Sequence, residues 1–523
     1  MKKFLSLVHS FCRAVELVPT PTATLTSHSH SSCNGIPWRQ YYHTTTNFFQ
    51  LNAIRTYATT KHRSTSSRRR KRADEGKRSA AAAVEEEEEV PWTDQQLEVL
   101  KAVAEGQSVF ITGSAGTGKT ILLRRVVEVL KQIHNPKHVF VTASTGVAAC
   151  ALNGHTLHSF AGIGRRTQDR EAMLFNATSN KGAFYRWKRA KALVIDEISM
   201  VDADLFDTLG YISGEIRYEK SSEIWSGIQL IVSGDFFQLP PVWNRLSSSE
   251  SGKEFAFEAD WWNDSFDQQI ELTQVFRQSD LKLIELLQGI RRGETDPEML
   301  RLLYSRTVTS EPDSKVIRLF PRKDDVNRVN QERLRSLGRE TITYTALDVG
   351  QEPWKSELKL GIAPDEVELC VGARVMLTKN IALSDGLVNG ATGTITGFIK
   401  PKRTVVMDIC CSRLLPVVKF DSGLEMVIKP ETWDVMEGDA VVATRKQVPL
   451  MLAWALSIHK CQGMTLNCLH TDLSRAFGCG MVYVALSRVR SLEGLYLSGF
   501  KPSKIKAHPK VLEFYQRFSN SQD

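Results

Sequence analysis

A chain of 523 residues exceeds one ordinary domain, so roughly two to four domains are expected. Its hydrophobic share of 42% fits a globular protein with a sizeable core, and no apolar run approaches the roughly 18 residues of a membrane-spanning helix, so membrane insertion is not expected. The net charge of +8 is concentrated at one end, because residues 1–90 hold fourteen Lys and Arg against eight Asp and Glu. That leaves about +2 for the rest, so any nucleic-acid contact must be local and argued from motifs.

Residues 1–73 contain twelve Lys and Arg and a single acid, Glu16. Phe4, Leu7, Val8, Phe11, Val15 and Val18 fall at helical spacing, with Lys2, Lys3 and Arg13 outside that set. A basic, acid-poor amphipathic start predicts a mitochondrial transit peptide, here over 1–57. The stretch Arg55-Thr56-Tyr57-Ala58 looks like a matrix-protease cleavage site. The run Arg68-Arg69-Arg70-Lys71-Arg72 supports a competing nuclear address or a flexible DNA-binding arm. It belongs to a linker over 58–90 that closes on the solvated run Glu85 to Glu89.

The strongest local signal is Gly113-Ser114-Ala115-Gly116-Thr117-Gly118-Lys119-Thr120. It follows the apolar run Val109-Phe110-Ile111-Thr112 and precedes a helical pattern from Ile121 to Leu130. A phosphate-binding loop requires that strand–loop–helix context. The glycines let backbone N–H groups turn toward phosphates at the positive end of the helix. Lys119 is expected on the β- and γ-phosphates and the Thr120 hydroxyl on Mg²⁺. Downstream, Leu193-Val194-Ile195-Asp196-Glu197 ends an apolar strand in two acids. Asp196 is expected to hold the Mg²⁺ through water, and Glu197 to orient or deprotonate the attacking water. The loop and the strand together predict an α/β fold with a doubly wound parallel sheet. Arg277 and Arg488 are candidate contacts to the γ-phosphate.

In context, the motifs resemble helicases of superfamily 1, subgroup B, and within it the petite-integration-frequency (Pif) family. Gln96 in Trp92-Thr93-Asp94-Gln95-Gln96 matches the glutamine such enzymes place on adenine. Thr142 to Ala149, Gly154 to Gly164, and Gly234-Asp235-Phe236-Phe237-Gln238-Leu239-Pro240-Pro241-Val242 match successive motifs. Gln238 is thereby expected to sense the γ-phosphate. The segment Phe255 to Arg292 resembles the region that separates Pif enzymes from their RecD relatives, and it contains Arg277. Val371 to Leu377, Leu387-Val388-Asn389-Gly390, Ala455 to Leu466 and Tyr483-Val484-Ala485-Leu486-Ser487-Arg488 follow in order. Cys461 stands where a serine is commoner in the family.

The resemblance implies two RecA-like domains, over 91–288 and over 289–390 with 451–510, with ATP between them. It also implies 5′ to 3′ movement on single-stranded DNA, with Arg488 brought across the cleft as an arginine finger and Arg277 near the junction. DNA contacts are expected at Thr145, His158, Ser159, His459, Lys460 and Thr465, while Phe160 and Phe237 are as well suited to the core as to stacking on bases. Residues 165–190 suit a small wedge at the duplex junction, residues 391–450 a β-rich insert, and 511–523 a C-terminal tail. Single-stranded and forked DNA are the expected partners of a monomer, with mitochondrial replication or repair proteins beside them. A RecD-like translocase, a non-catalytic DNA-binding module and a signalling GTPase are the rival readings. Against the last, no Asn-Lys-x-Asp motif occurs. The nine cysteines are irregularly scattered, without two-residue zinc spacing, and read as reduced thiols.

Overall fold

The computed structural model describes residues 92–520 apart from 153, 164–168, 218–223, 242–251, 309–315, 352–354, 356–357, 359–362, 383–386, 388, 401–413 and 438–439. The expected transit peptide, its cleavage site, the basic run and the glutamate run lie outside the described residues. All the described residues belong to the unit Glu87–Asp523.

Six parallel strands form the first sheet: β1 (Val109–Gly113), β2 (Val139–Ala143), β3 (His155–Thr156), β4 (Ala192–Asp196), β5 (Gln229–Ser233) and β6 (Gln268–Leu272). Their spatial order is β3-β2-β4-β5-β1-β6. Successive side chains point to opposite faces. Phe110, Leu193, Ile195, Leu230 and Val232 enter one core. Val109, Ile111, Val194 and Ile231 enter another with helices α1 (Asp94–Ala104) and α2 (Lys119–Ile133). Burial on both faces is why these strands read as unbroken apolar runs.

The expected wedge region contains two short helices, α3 (Arg170–Ser179) and α4 (Lys181–Arg189), packed on α5 (Ala203–Arg217). Asn180 ends α3 and caps α4, its side chain accepting from Ala183 N at 2.9 Å. Trp187 of α4 is fully buried, its ring centre 4.9 Å from that of Phe160. Phe160 is therefore a core residue of this face.

Helix α6 (Leu281–Arg291) leads toward a second parallel sheet of β7 (Ile317–Phe320), β8 (Ala455–Ser457), β9 (Leu469–Asp472) and β10 (Leu495–Gly499). Its order is β8-β7-β9-β10. Helices α7 (Lys323–Ser336) and α8 (Met481–Leu486) belong to it. The two sheets match the expected pair of RecA-like domains. Between α7 and β8 the chain leaves for a set of antiparallel sheets running from Ile342–Thr345 to Leu450–Leu452. They enclose their own core of Tyr344, Val367, Leu369, Val375, Ile395, Val418 and Phe420. The insert thus begins about fifty residues before the expected 391, because its first strands are short and partly polar, Ile342-Thr343-Tyr344-Thr345 and Leu347-Asp348-Val349-Gly350.

The end of the chain also differs from the expected tail. Residues Pro509–Asn520 form helix α9, with Val511, Tyr515 and Phe518 buried at a helical spacing. Phe514 and Phe518 pack on Phe110, and Phe514 stacks on Phe257. The helix that follows the second sheet is therefore built into the core of the first.

Candidate active site

The phosphate-binding loop sits where β1 ends, beside the point at which strand order reverses, the usual position for a ligand on an open α/β sheet. Gly116 and Gly118 have φ of +93° and +84°. A Cβ on Gly116 would come within 2.7 Å of the Arg277 Cβ, so here the chain needs glycine for both conformation and space. Lys119 Nζ donates to Gly113 O at 2.6 Å and Ser114 O at 2.9 Å. Burial pushes its ammonium below the ordinary lysine value, opposed by Asp235 and Glu197. Gln96 is buried, closes a capping box with Thr93, and donates from Nε2 to Thr117 O at 3.4 Å. It therefore lies against the loop rather than in open solvent.

Asp196 and Glu197 stand at the end of β4. Asp196 is buried and accepts from Glu197 N at 2.9 Å; burial pushes its carboxyl up. Glu197 has φ of +55°, uncommon for a residue with a side chain. Burial and then the Asp196 charge push its carboxyl up to about 7. Gln238 is buried, with Nε2 donating to Asp235 Oδ2 at 3.3 Å. From the second domain Gln462 reaches both, donating from Nε2 to Glu197 Oε2 at 3.0 Å and to Gln238 Oε1 at 3.5 Å.

Arg277 and Arg488 complete the cleft. Arg488 is 1% exposed and donates to Val484 O, Ser487 Oγ and Met464 O. Arg277 donates to Ser487 O at 3.1 Å and Gly463 O at 3.4 Å. Burial and then the Arg488 charge push its guanidinium down to about 9. Among the described residues neither arginine forms an ion pair with a carboxylate. Two crowded cations with no paired carboxylate, and Glu197 the acid near them, favour a polyanion between them. With Lys119, Thr120, Glu197 and Gln238 they line one cleft of about 680 Å³.

The loop is also held from behind by residues outside its own sheet. Ala115 N donates to Tyr483 Oη at 2.7 Å, Gln288 Nε2 to Ser114 Oγ at 3.1 Å, and Thr112 Oγ1 shares a 2.5 Å hydrogen bond with Tyr515 Oη. Asp235 pairs with Arg291 at 3.0 Å, whose guanidinium lies over the rings of Phe237 and Tyr515. Phe237 is 5% exposed, which places it in the core rather than on a stacking surface. Of these groups, Gln462, Tyr483, Gln288, Arg291 and Tyr515 are not among the site residues expected from sequence. Gln462 and Tyr483 lie inside recognised motifs, and that is the signal that could have found them.

The expected DNA contacts fall in three places. Thr145 follows β2 and accepts from Ala148 N at 3.2 Å, while His158 and Ser159 lie on the short helix Leu157–Ala161. Ser144 joins this region to the cleft, donating to Glu197 O at 2.7 Å. In the second domain, burial and then Lys323 push both His459 and Lys460 below their ordinary values. Lys460 lines a groove with Lys323, Asn327 and Gln331. Thr465 is instead in the nucleotide cleft with Gly463 and Arg488.

Comparison with known proteins agrees with this layout. A family described as "PIF1-like helicase" matches residues 92–297, and "DNA helicase Pif1, 2B domain" matches 355–398. The "ATP-dependent DNA helicase PIF1" of Xenopus laevis is 42% identical over 432 residues, covering 82% of this chain and 65% of that protein. The Homo sapiens protein of the same description is 40% identical, covering 81% and 63%. The chain thus spans a little under two thirds of these relatives. The crystal structure of Pif1 helicase from Candida albicans has a TM-score of 0.70 and 37% identity, covering 82% of this chain and 100% of that one. That of Bacteroides Pif1 bound to single-stranded DNA has a TM-score of 0.59 and 28% identity, covering 82% and 97%. Motif order, two-sheet architecture and these likenesses agree, and the chain belongs to the PIF1-like helicase family.

Proposed function

We propose that the chain is an ATP-dependent DNA helicase that moves 5′ to 3′ on single-stranded DNA and unwinds duplex DNA. Its proposed setting is the mitochondrion, in replication, repair, recombination or maintenance of DNA. One observation supports the motor above all: a single cleft places the phosphate-binding loop and Glu197 of one domain against Arg488 and Gln462 of the other. The basic, acid-poor leader supports the location. The names of the relatives, and the crystal structure of Bacteroides Pif1 bound to single-stranded DNA, support the substrate.

The residues divide the work. On nucleotide entry Lys119 exchanges its two carbonyl partners for phosphate oxygens, and the loop N–H groups receive the rest of the charge. Glu197, made more basic by burial, takes the proton of the attacking water. Gln238 and Gln462 register the γ-phosphate from the two sides of the cleft, and Arg277 and Arg488 neutralise charge as the phosphoryl group transfers. No group of three His, Cys, Asp or Glu suited to a metal occurs among the described residues. Thr120 has no side-chain partner among those residues, and Asp196 forms no ion pair there. Thr120 and Asp196 would hold a Mg²⁺ ion, which would supply neutralising charge when bound with ATP. Closing and opening the cleft then alters the spacing between the grips at Thr145 and His158 and those at His459 and Lys460.

Strand displacement tests the proposal. Duplex DNA with a 5′ single-stranded tail should be unwound with ATP, and duplex with a 3′ tail should not. Equal displacement of both, or of neither, would refute the assigned polarity. A reporter carrying residues 1–57 should enter mitochondria, and its accumulation in the nucleus would overturn that location.

A further inference from the structure

Arg291 ends α6 and is 7% exposed, yet it is not among the residues that line the nucleotide cleft. Its guanidinium is held both in its plane and across its faces. Nε and Nη2 donate to Asp235 Oδ1 at 3.3 Å and 3.0 Å, and Nη1 donates to Glu271 Oε1 at 3.4 Å. The group lies 4.6 Å from the ring centre of Phe237 and 5.1 Å from that of Tyr515. Those two rings are themselves stacked, 4.7 Å apart.

Part of this arrangement has a plain structural explanation. Asp235 is fully buried, and a buried carboxylate needs a counter-charge. A point charge would meet that need, but it would not supply direction. Here two guanidinium nitrogens converge on Oδ1, where Phe237 N also donates at 3.2 Å. Gln238 Nε2 donates to the other oxygen, Oδ2, at 3.3 Å. With its nitrogen turned to Asp235, the Gln238 amide offers its oxygen to the second domain, where Gln462 Nε2 donates to it at 3.5 Å. Gln238 lines the cleft, and Gln462 also donates to Glu197. The competing account is support of the phosphate loop, because Gln288, three residues earlier on the same helix face, donates to Ser114 Oγ at 3.1 Å.

We propose that Arg291 is a positioning residue for ATP hydrolysis. By filling Asp235 Oδ1 it leaves Oδ2 to Gln238, and so sets which way the Gln238 amide faces the γ-phosphate. Without the fork, the carboxylate and the amide are free to rotate, and Gln238 presents its donor and acceptor in either order. The inference rests on the reading above that places Gln238 at the γ-phosphate.

The test joins steady-state ATP hydrolysis by the full chain, with single-stranded DNA present, to calorimetric titration with ADP, which lacks the γ-phosphate. Arg291→Lys keeps the charge and loses the fork, while Arg291→Met loses both. Arg292→Met, which removes the neighbouring arginine paired with Glu294 at the surface, is the control. The kcat should fall about tenfold in Arg291→Lys and about a hundredfold in Arg291→Met. Affinity for ADP should be unchanged in both, and the control close to wild type. In a Gln238→Ala background Arg291→Lys should cost nothing further, because the two side chains act as one unit. Should Arg291→Met fail to fold, Arg291→Lys and its pairing with Gln238→Ala carry the test. Full activity in Arg291→Lys, or a loss that multiplies with that of Gln238→Ala, would overturn the proposal. Weakened ADP binding would also overturn it, giving Arg291 to the phosphate loop and Lys119. Wild-type protein that hydrolysed no ATP would instead remove the reading on which the proposal stands.

Discussion

Glu197 combines a left-handed backbone, a buried carboxyl and a hydrogen bond from another domain. Its elevated value, about 7, makes the rate of hydrolysis rise with pH through that value, because only the carboxylate can take a proton from water. A pH profile of kcat/KM for ATP, which reports groups of the free protein, checks this. Gln462 donates to the carboxylate and so favours its charged form. Gln462→Ala should move the same profile to higher pH, and an unmoved profile would deny Gln462 that role. Stability follows the same group with a definite sign. The folded state holds the extra proton between 4.5 and about 7, so this carboxyl's contribution to stability falls as pH rises through that window. Glu197→Gln should lose about 10²–10⁴ in hydrolysis, retain nucleotide binding, and melt above wild type at pH 8. The acids at the end of β4 were legible in sequence because an apolar strand and a phosphate-binding loop framed them. The pairing of Glu197 with Gln462 was not, because no local pattern relates residues 265 apart.

Among elements, α9 and α8 matter most to the loop between β1 and α2. Each sends one tyrosine there, Tyr515 to Thr112 at the end of β1 and Tyr483 to Ala115 in the loop. Tyr483→Phe keeps the buried ring and removes only the hydroxyl. An unpaired amide in such a site costs about 1–3 kcal/mol, felt where the loop must hold phosphates. The KM for ATP should rise roughly five- to 150-fold on that scale, and an unchanged KM would show that the loop does not need this support. Tyr515→Ala removes a side chain packed on Phe237, Phe514 and Arg291. It should lower unfolding stability by about 3–5 kcal/mol in denaturant titration. Val511, Phe514, Tyr515 and Phe518 fall at helical spacing, although only a C-terminal tail is expected there from sequence. The destination of that face on the first sheet was not legible, since spacing gives a buried face without naming its partner.

Across the whole molecule, the architecture follows from two parallel sheets facing one cleft. The glycine-rich loop, the strand acids and the motif order made that plan readable. The insert was recognisable but its start was not, because short strands such as Ile342–Thr345 mix polar and apolar residues and find their core only through distant partners such as Val418 and Phe420. Segment 276–278 ties the domains together, through Phe276 N to Gly116 O at 2.8 Å and Gln278 Nε2 to Val489 O at 2.9 Å. Ser144 joins the Thr145 region to Glu197. DNA held across both domains, as proposed, would thereby be linked to the chemistry of the cleft.

That linkage is tested most directly by ATP hydrolysis with and without single-stranded DNA, in wild type and in Lys119→Ala. Wild type should hydrolyse ATP weakly alone and be strongly stimulated by DNA, with both rates lost in the variant. Hydrolysis indifferent to DNA, or equal in Lys119→Ala, would contradict the coupling of DNA to the cleft.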